Sequence, residues 1–142
     1  METPTHLNYK PIVTVENYDN HDGKYKESTD AKSLSIGIAQ YDEDEISAKV
    51  FRFEHNNRWS RQSEELPFHR VIDLSTTILK SILLSANIPF PQSSLNVKIV
   101  NQDNLRKIID YYKDDNNRSE LLPKLQELQI ILNYFMDEES KL

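Results

Sequence analysis

The stretch from Ser63 to Asn87, SEELPFHRVIDLSTTILKSILLSAN, constrains this chain more than any other. Its apolar residues are Phe68, Val71, Ile72, Leu74, Ile78, Leu79, Ile82, Leu83 and Ala86. They recur mostly at steps of three and four, the period of an α-helix. So wide a stripe predicts a helix buried on more than one side, with a narrow polar strip of His69, Asp73, Thr76 and Lys80 left to water. Pro67 marks the first turn and Ser63 to Leu66 the cap region. Ile88-Pro89-Phe90-Pro91 stops the helix. The rest of the chain has to cover this rod.

Upstream, Pro11-Ile12-Val13-Thr14-Val15 is β-branched and reads as a strand that opens on proline. The polar loop ENYDNHDGKYKESTDAK follows. Its Asn20-His21-Asp22-Gly23 invites a calcium-loop reading. With Gly23 at the sixth position, however, Tyr18 and Thr29 fall where carboxylates are required, so a turn closed by Asp22-Gly23 is the better reading. Ser33 to Gln40 alternates, with Leu34, Ile36 and Ile38 on one face and Ser33, Ser35, Gly37 and Ala39 on the other. Ile46 to Phe53 alternates again beyond the acidic turn YDEDE, so the two runs form a hairpin. Pairing Ile38 with Ala48 brings Ile36 to Val50, Leu34 to Arg52, Ser35 to Phe51 and Ser33 to Phe53. Aromatic rings beside small residues then fill one face. Asn56-Asn57 suits a two-residue turn into a third strand, Trp59 to Gln62. His55 then lies opposite Arg58, and Arg52 opposite Arg61. Two like charges across a ladder call for a carboxylate such as Glu64 or Glu65, or an external anion, between them.

Downstream, Leu95 to Val100 alternates as another strand. Leu105, Ile108, Ile109 and Tyr112 mark a short helix capped by Asn101 or Asp103, and Lys113 to Asn117 a break. Ser119 caps a last helix with Pro123 early in it. There Leu121, Leu125, Leu128, Leu132 and Phe135 have heptad-like spacing. Two heptads are short for a coiled coil, so this face is expected to pack on the core, with a dimer seam as the alternative. These elements predict an α+β fold: a mainly antiparallel β-meander packed on a long central helix, with two further C-terminal helices. At 142 residues the chain is expected to be a single domain over 1–142, with 1–10 and 137–142 frayed.

Function is bounded mainly by exclusion. Two glycines, Gly23 and Gly37, cannot build a Gly-rich phosphate loop. The absence of cysteine removes disulfides, thiolate zinc sites and a cysteine nucleophile, and fits a reducing cytoplasm. A net charge of −6 makes a nucleic-acid partner unfavourable. No apolar run is long enough for a membrane span, and the N-terminus lacks a signal-peptide pattern. The terminal Ser-Lys-Leu is too short a match to read as a peroxisomal address. Ser60 and Ser63 lack the glycine elbow or lysine motif of a hydrolytic serine. No metal-ligand spacing occurs, so neither a metal nor a cofactor is expected.

The densest polar cluster joins Trp59-Ser60-Arg61-Gln62-Ser63-Glu64-Glu65 to His69, Arg70 and Asp73. On one helix Glu65, His69 and Asp73 would share a face, either as a salt-linked stripe or as a carboxylate-tuned general base. If a polar site exists, it is expected to join Arg52, Trp59, Arg61, Gln62 and Glu65, with His69 at the rim. The two arginines would grip an anion by their forks. The motifs ISAKVFR and RWSRQSEELPFHRVIDL, with ENYD and DAKSLSIGIAQ, resemble a family of small bacterial proteins carrying a domain of unknown function, over roughly residues 8–85. That resemblance implies an unassigned function and adds no catalytic residue. The reading is therefore a cytoplasmic binding or protein-interaction module, monomer or homodimer, whose partner is an unknown protein or a small anionic ligand. The alternative is an enzyme on a small anionic substrate, with Glu65 or His69 as general base and Arg61 as anion clamp.

Overall fold

Three of the segments expected as strands form, and a fourth strand arises where the start of the helix was expected. In the computed structural model, which describes residues 1–54, 56–60 and 64–142, β1 (Lys10–Val15), β2 (Ala31–Ile38), β3 (Ile46–Arg52) and β4 (Glu65–Pro67) form one antiparallel sheet in chain order. His55, Arg61, Gln62 and Ser63 lie outside the described residues. Helices α1 (Phe68–Ser85), α2 (Arg106–Lys113) and α3 (Asp115–Glu138) complete an α+β fold. The chain divides into two compact units, Met1–Leu79 and Lys80–Leu142.

In the first unit the hairpin forms with its register moved two residues from expectation. Ile38 pairs with Ile46, Ile36 with Ala48, Leu34 with Val50 and Ser33 with Phe51. The Ala39–Glu45 loop closes tightly, as the Ala39 N–H donates to the Glu45 carbonyl at 3.0 Å. The shift keeps each residue on its face, because a two-residue slip preserves the pleat. The face that goes inside is the small one. Ala31, Ser33 and Ser35 of β2 are buried while Ile36 is exposed. The reason is aromatic: Tyr9 and Phe51 are wholly buried on the small-residue face, their rings edge-on at 5.5 Å. Phe51 meets Trp59 at 5.7 Å, and Trp59 meets Phe53 at 5.3 Å. Serine, glycine and alanine leave room for that row of rings. Filling of this face by packed rings is as expected from the sequence.

The third strand expected over Trp59 to Gln62 extends beyond the described residues at Arg61 and Gln62, and its described part, Trp59 and Ser60, is not a strand. Trp59 forms only an isolated bridge to Phe53, and the Glu54 N–H donates to the Arg58 carbonyl, one residue out of the expected pairing. Asn57 turns the chain with φ 60°, as an asparagine can. The expected pairing of His55 with Arg58, and of Arg52 with Arg61, falls on residues outside the described ones. The strand is instead β4, where Leu66 pairs with Ala48. Glu65 and Leu66, expected in the cap region of the helix, are therefore extended, and α1 starts one residue after Pro67. Proline suits this place because it ends a three-residue strand and needs no donor there.

Helix α1 follows the predicted bounds but not the predicted burial. Val71, Ile72, Leu74, Ile78 and Leu79 are exposed, Ile72 at 64%. In the second unit, Lys80 is buried, although the pattern put it in water. Its ammonium donates to Ser93 Oγ and, at 2.6 Å, to the Leu95 carbonyl, and lies 5.9 Å from the Phe90 ring. Those contacts hold residues 93–95 to the helix and leave residues 91–101 without the strand that their alternation suggested. A period of two without a neighbouring strand has no ladder to join. Helix α3 begins four residues before Ser119. The Asp114 carboxylate accepts from the Asn116 and Asn117 N–H groups at 3.0 and 3.2 Å, a cap that Ser119 cannot match from inside the helix. The Leu128, Leu132 and Phe135 face, expected on the core, is exposed. No helix among the described residues is long and apolar enough to cross a membrane.

Candidate functional site

Alternation along the strands of the first unit gives the sheet two chemically different sides. One side presents Val13 and Val15 of β1, Leu34 and Ile36 of β2, Ala48 and Val50 of β3 and Leu66 of β4. With Val71 from the start of α1 they line an open groove of about 460 Å³, which Thr14, Ser35, Lys49 and Glu64 also border. Val13 is 61% and Val15 51% exposed, so this is apolar surface in contact with water rather than core. Ladder pairs Val13–Ile36, Val15–Leu34, Leu34–Val50 and Ala48–Leu66 place these side chains in one continuous field.

The other side holds a buried polar–aromatic cluster that fixes the strands. The Tyr9 hydroxyl donates to Ser35 Oγ and to the Ser47 carbonyl, both at 3.3 Å. Ser35 Oγ in turn donates to the Val13 carbonyl at 3.1 Å. Lys49, buried, sets its ammonium 5.1 Å from the Tyr9 ring centre and 5.2 Å from that of Phe51, a cation held by two π-faces. Burial holds the Lys49 ammonium below the ordinary lysine value, and the Glu65 carboxylate offsets part of that. Burial likewise raises the Tyr9 hydroxyl; its bond to Ser35 opposes the rise and Glu65 adds to it. Ser33 Oγ is buried with no hydrogen-bond partner.

The residues expected to form an anion site are placed as follows. Arg52 donates through Nη1 to Asp30 Oδ1 at 2.6 Å, through Nη2 to Glu64 Oε1 at 2.6 Å, and through Nε to both Glu64 oxygens at 3.2 Å. Its hydrogen bonds to Glu64 and then Asp30 raise its already high pKa further. The carboxylate expected beside Arg52 is thus Glu64, joined by Asp30. Trp59 packs between Phe51 and Phe53. Glu65 stands on β4, where Oε1 accepts from Ser47 Oγ at 2.8 Å and the Gln40 N–H at 3.1 Å. It therefore shares no helix face with His69 and Asp73, both exposed on α1. Arg61 and Gln62 lie outside the described residues. Sequence reasoning passed over Tyr9, in a segment expected to be frayed, and Lys49, to which it gave no role. The available signal was parity, since Ser47, Lys49 and Phe51 share the side that Ser33 and Ser35 occupy on the neighbouring strand.

The profile of a family described as Family of unknown function (DUF6530) matches residues 1–88, which contain the entire sheet and α1. No curated protein and no solved structure matches the chain.

Proposed function

We propose that this chain, which belongs to the family of unknown function DUF6530, is a binding module that takes an apolar segment of a partner protein on the open side of its sheet. One observation carries the reading: seven aliphatic side chains from four strands form a contiguous field in which Val13, Val15 and Ile36 are exposed and the rest half-buried, while the opposite side of β2 and β3 is buried. A sheet needs a second layer over an apolar face, and an amphipathic helix is the commonest element that supplies one. Most of the lining residues are aliphatic, so the groove suits leucine-like side chains better than a polar metabolite.

The test uses 1-anilinonaphthalene-8-sulfonate as a probe of native apolar surface. Dye should bind the folded chain, and Ile36→Glu should weaken binding several-fold with the circular dichroism spectrum unchanged. Amphipathic helices selected from a peptide library should compete with the dye. Dye binding that Ile36→Glu leaves intact while Ile131→Asp in α3 abolishes it would place the binding surface elsewhere and defeat the reading. The enzyme alternative draws less support. The Arg52 fork already holds two carboxylates, and Glu65 is committed to Ser47 and Gln40.

A further inference from the structure

From Gln126 to its end, every residue of α3 is exposed. Leu128, Ile131, Leu132 and Phe135 fall at steps of three, one and three, which puts them on one side of the helix. They are 47%, 61%, 52% and 51% exposed. Half of Leu121 to Leu125 is shielded at the start of the same stripe, near α2, but the second half has no cover. Apolar residues on a solvated helix are ordinary singly, yet four in one stripe call for a partner.

We propose that this stripe pairs with the same stripe of a second copy of the chain, the two α3 helices running antiparallel. Area and charge support that occupant. Side chains of this size at half exposure, with Met136 on the flank, carry on the order of 500 Å² per copy, or about 1,000 Å² for the pair, the size at which an interface becomes specific. Charge decides the direction. The helix end carries Asp137, Glu138 and Glu139 against Lys141, whereas Asp115, Arg118, Glu120 and Lys124 balance at its start. Parallel pairing would set two acidic ends side by side; antiparallel pairing separates them and opposes the helix dipoles. A two-fold axis between Ile131 and Leu132 then sets Leu128 of one copy against Phe135 of the other, a closed isologous contact. This proposal rests on α3 alone and is independent of the sheet-side reading.

Analytical ultracentrifugation of the full chain, from micromolar to submillimolar concentration, should show a monomer–dimer equilibrium. Leu132→Asp should give a monomer with unchanged helical signal, while Ile130→Asp, on the far side of the helix, should leave the dimer. Because the chain has no cysteine, single-cysteine variants report direction. Leu128→Cys and Phe135→Cys chains should form a disulfide when mixed and not when kept apart. A wild-type chain that stays monomeric, a dimer that survives Leu132→Asp, or ready self-linking of Phe135→Cys would each overturn the proposal.

Discussion

Replacing Gly37 by alanine tests the seam on which the first unit depends. Gly37 lies on β2 opposite Pro11, just after the buried Tyr9. A Cβ there would run into the Lys10 carbonyl oxygen and come within 2.7 Å of Pro11 Cα and 2.9 Å of the Lys10 carbonyl carbon. All three are backbone atoms, so no side chain can swing aside and β1 itself must move. Opposing this is a gain of about 0.4–1 kcal/mol that alanine brings by stiffening the unfolded chain. Overpacking costs about 1–3 kcal/mol. Lifting the start of β1 also loosens Tyr9, whose full burial is worth about 1.5–3 kcal/mol. The net expectation is a loss of about 3 kcal/mol, a large part of the 5–15 kcal/mol that holds a typical domain. Urea unfolding followed by circular dichroism measures the loss. Hydrogen exchange should show β1 amides opening first. Gly23→Ala is the control: nothing lies within 4 Å of its Cβ position, and its φ of 55° should cost only about 1 kcal/mol. If Gly37→Ala loses no more than Gly23→Ala, the close approach of β1 is not a constraint and the account of the buried side fails.

The remaining expectations concern single groups. Ser33→Ala removes a buried hydroxyl with no partner and should stabilise the chain by about 1 kcal/mol in the same urea assay; destabilisation would show that the hydroxyl is satisfied. The Glu64 carboxyl is held below its ordinary 4.5, first by its hydrogen bond from Arg52, so it contributes stability above that value and loses it as pH falls through the lower, folded value. Arg52→Met should therefore cost about 1 kcal/mol at neutral pH, given a half-exposed network, and progressively less as the medium is acidified below that range. A cost that does not change with pH would assign it to lost packing of the arginine stem.

The class of fold was legible because periodicity reports element type directly: the β2–β3 hairpin, α1, α2 and α3 all follow from steps of two or of three and four. What periodicity cannot report is which side of a strand goes inward. Leu34, Ile36 and Ile38 alternate with Ser33, Ser35 and Gly37, and the decision was made by Tyr9 and Trp59, which lie outside β2 and β3 and bring rings to the serine side. Register was off by two for a related reason, since any even slip satisfies the same pattern and only loop closure between Ala39 and Glu45 chooses among them. The candidate polar site was less legible still. Glu65, His69 and Asp73 have helical spacing, but Pro67 can end a strand as readily as begin a helix, and here it ends β4. Arg52, expected to need a carboxylate or an external anion beside it, is held by Glu64 and by Asp30, which is distant in sequence.

These outcomes share one cause. Counting apolar positions shows how many faces a chain offers, and coverage depends on how many layers are present to receive them. In the first unit, the rings use up the cover available to the sheet, and the aliphatic side of β1 to β4 is left over. In the second, α2 shields only the first half of the α3 stripe. Each surplus is contiguous, apolar and built on regular elements. Scattered surface leucines would have none of those properties, and an interface to be closed by another chain would have all three.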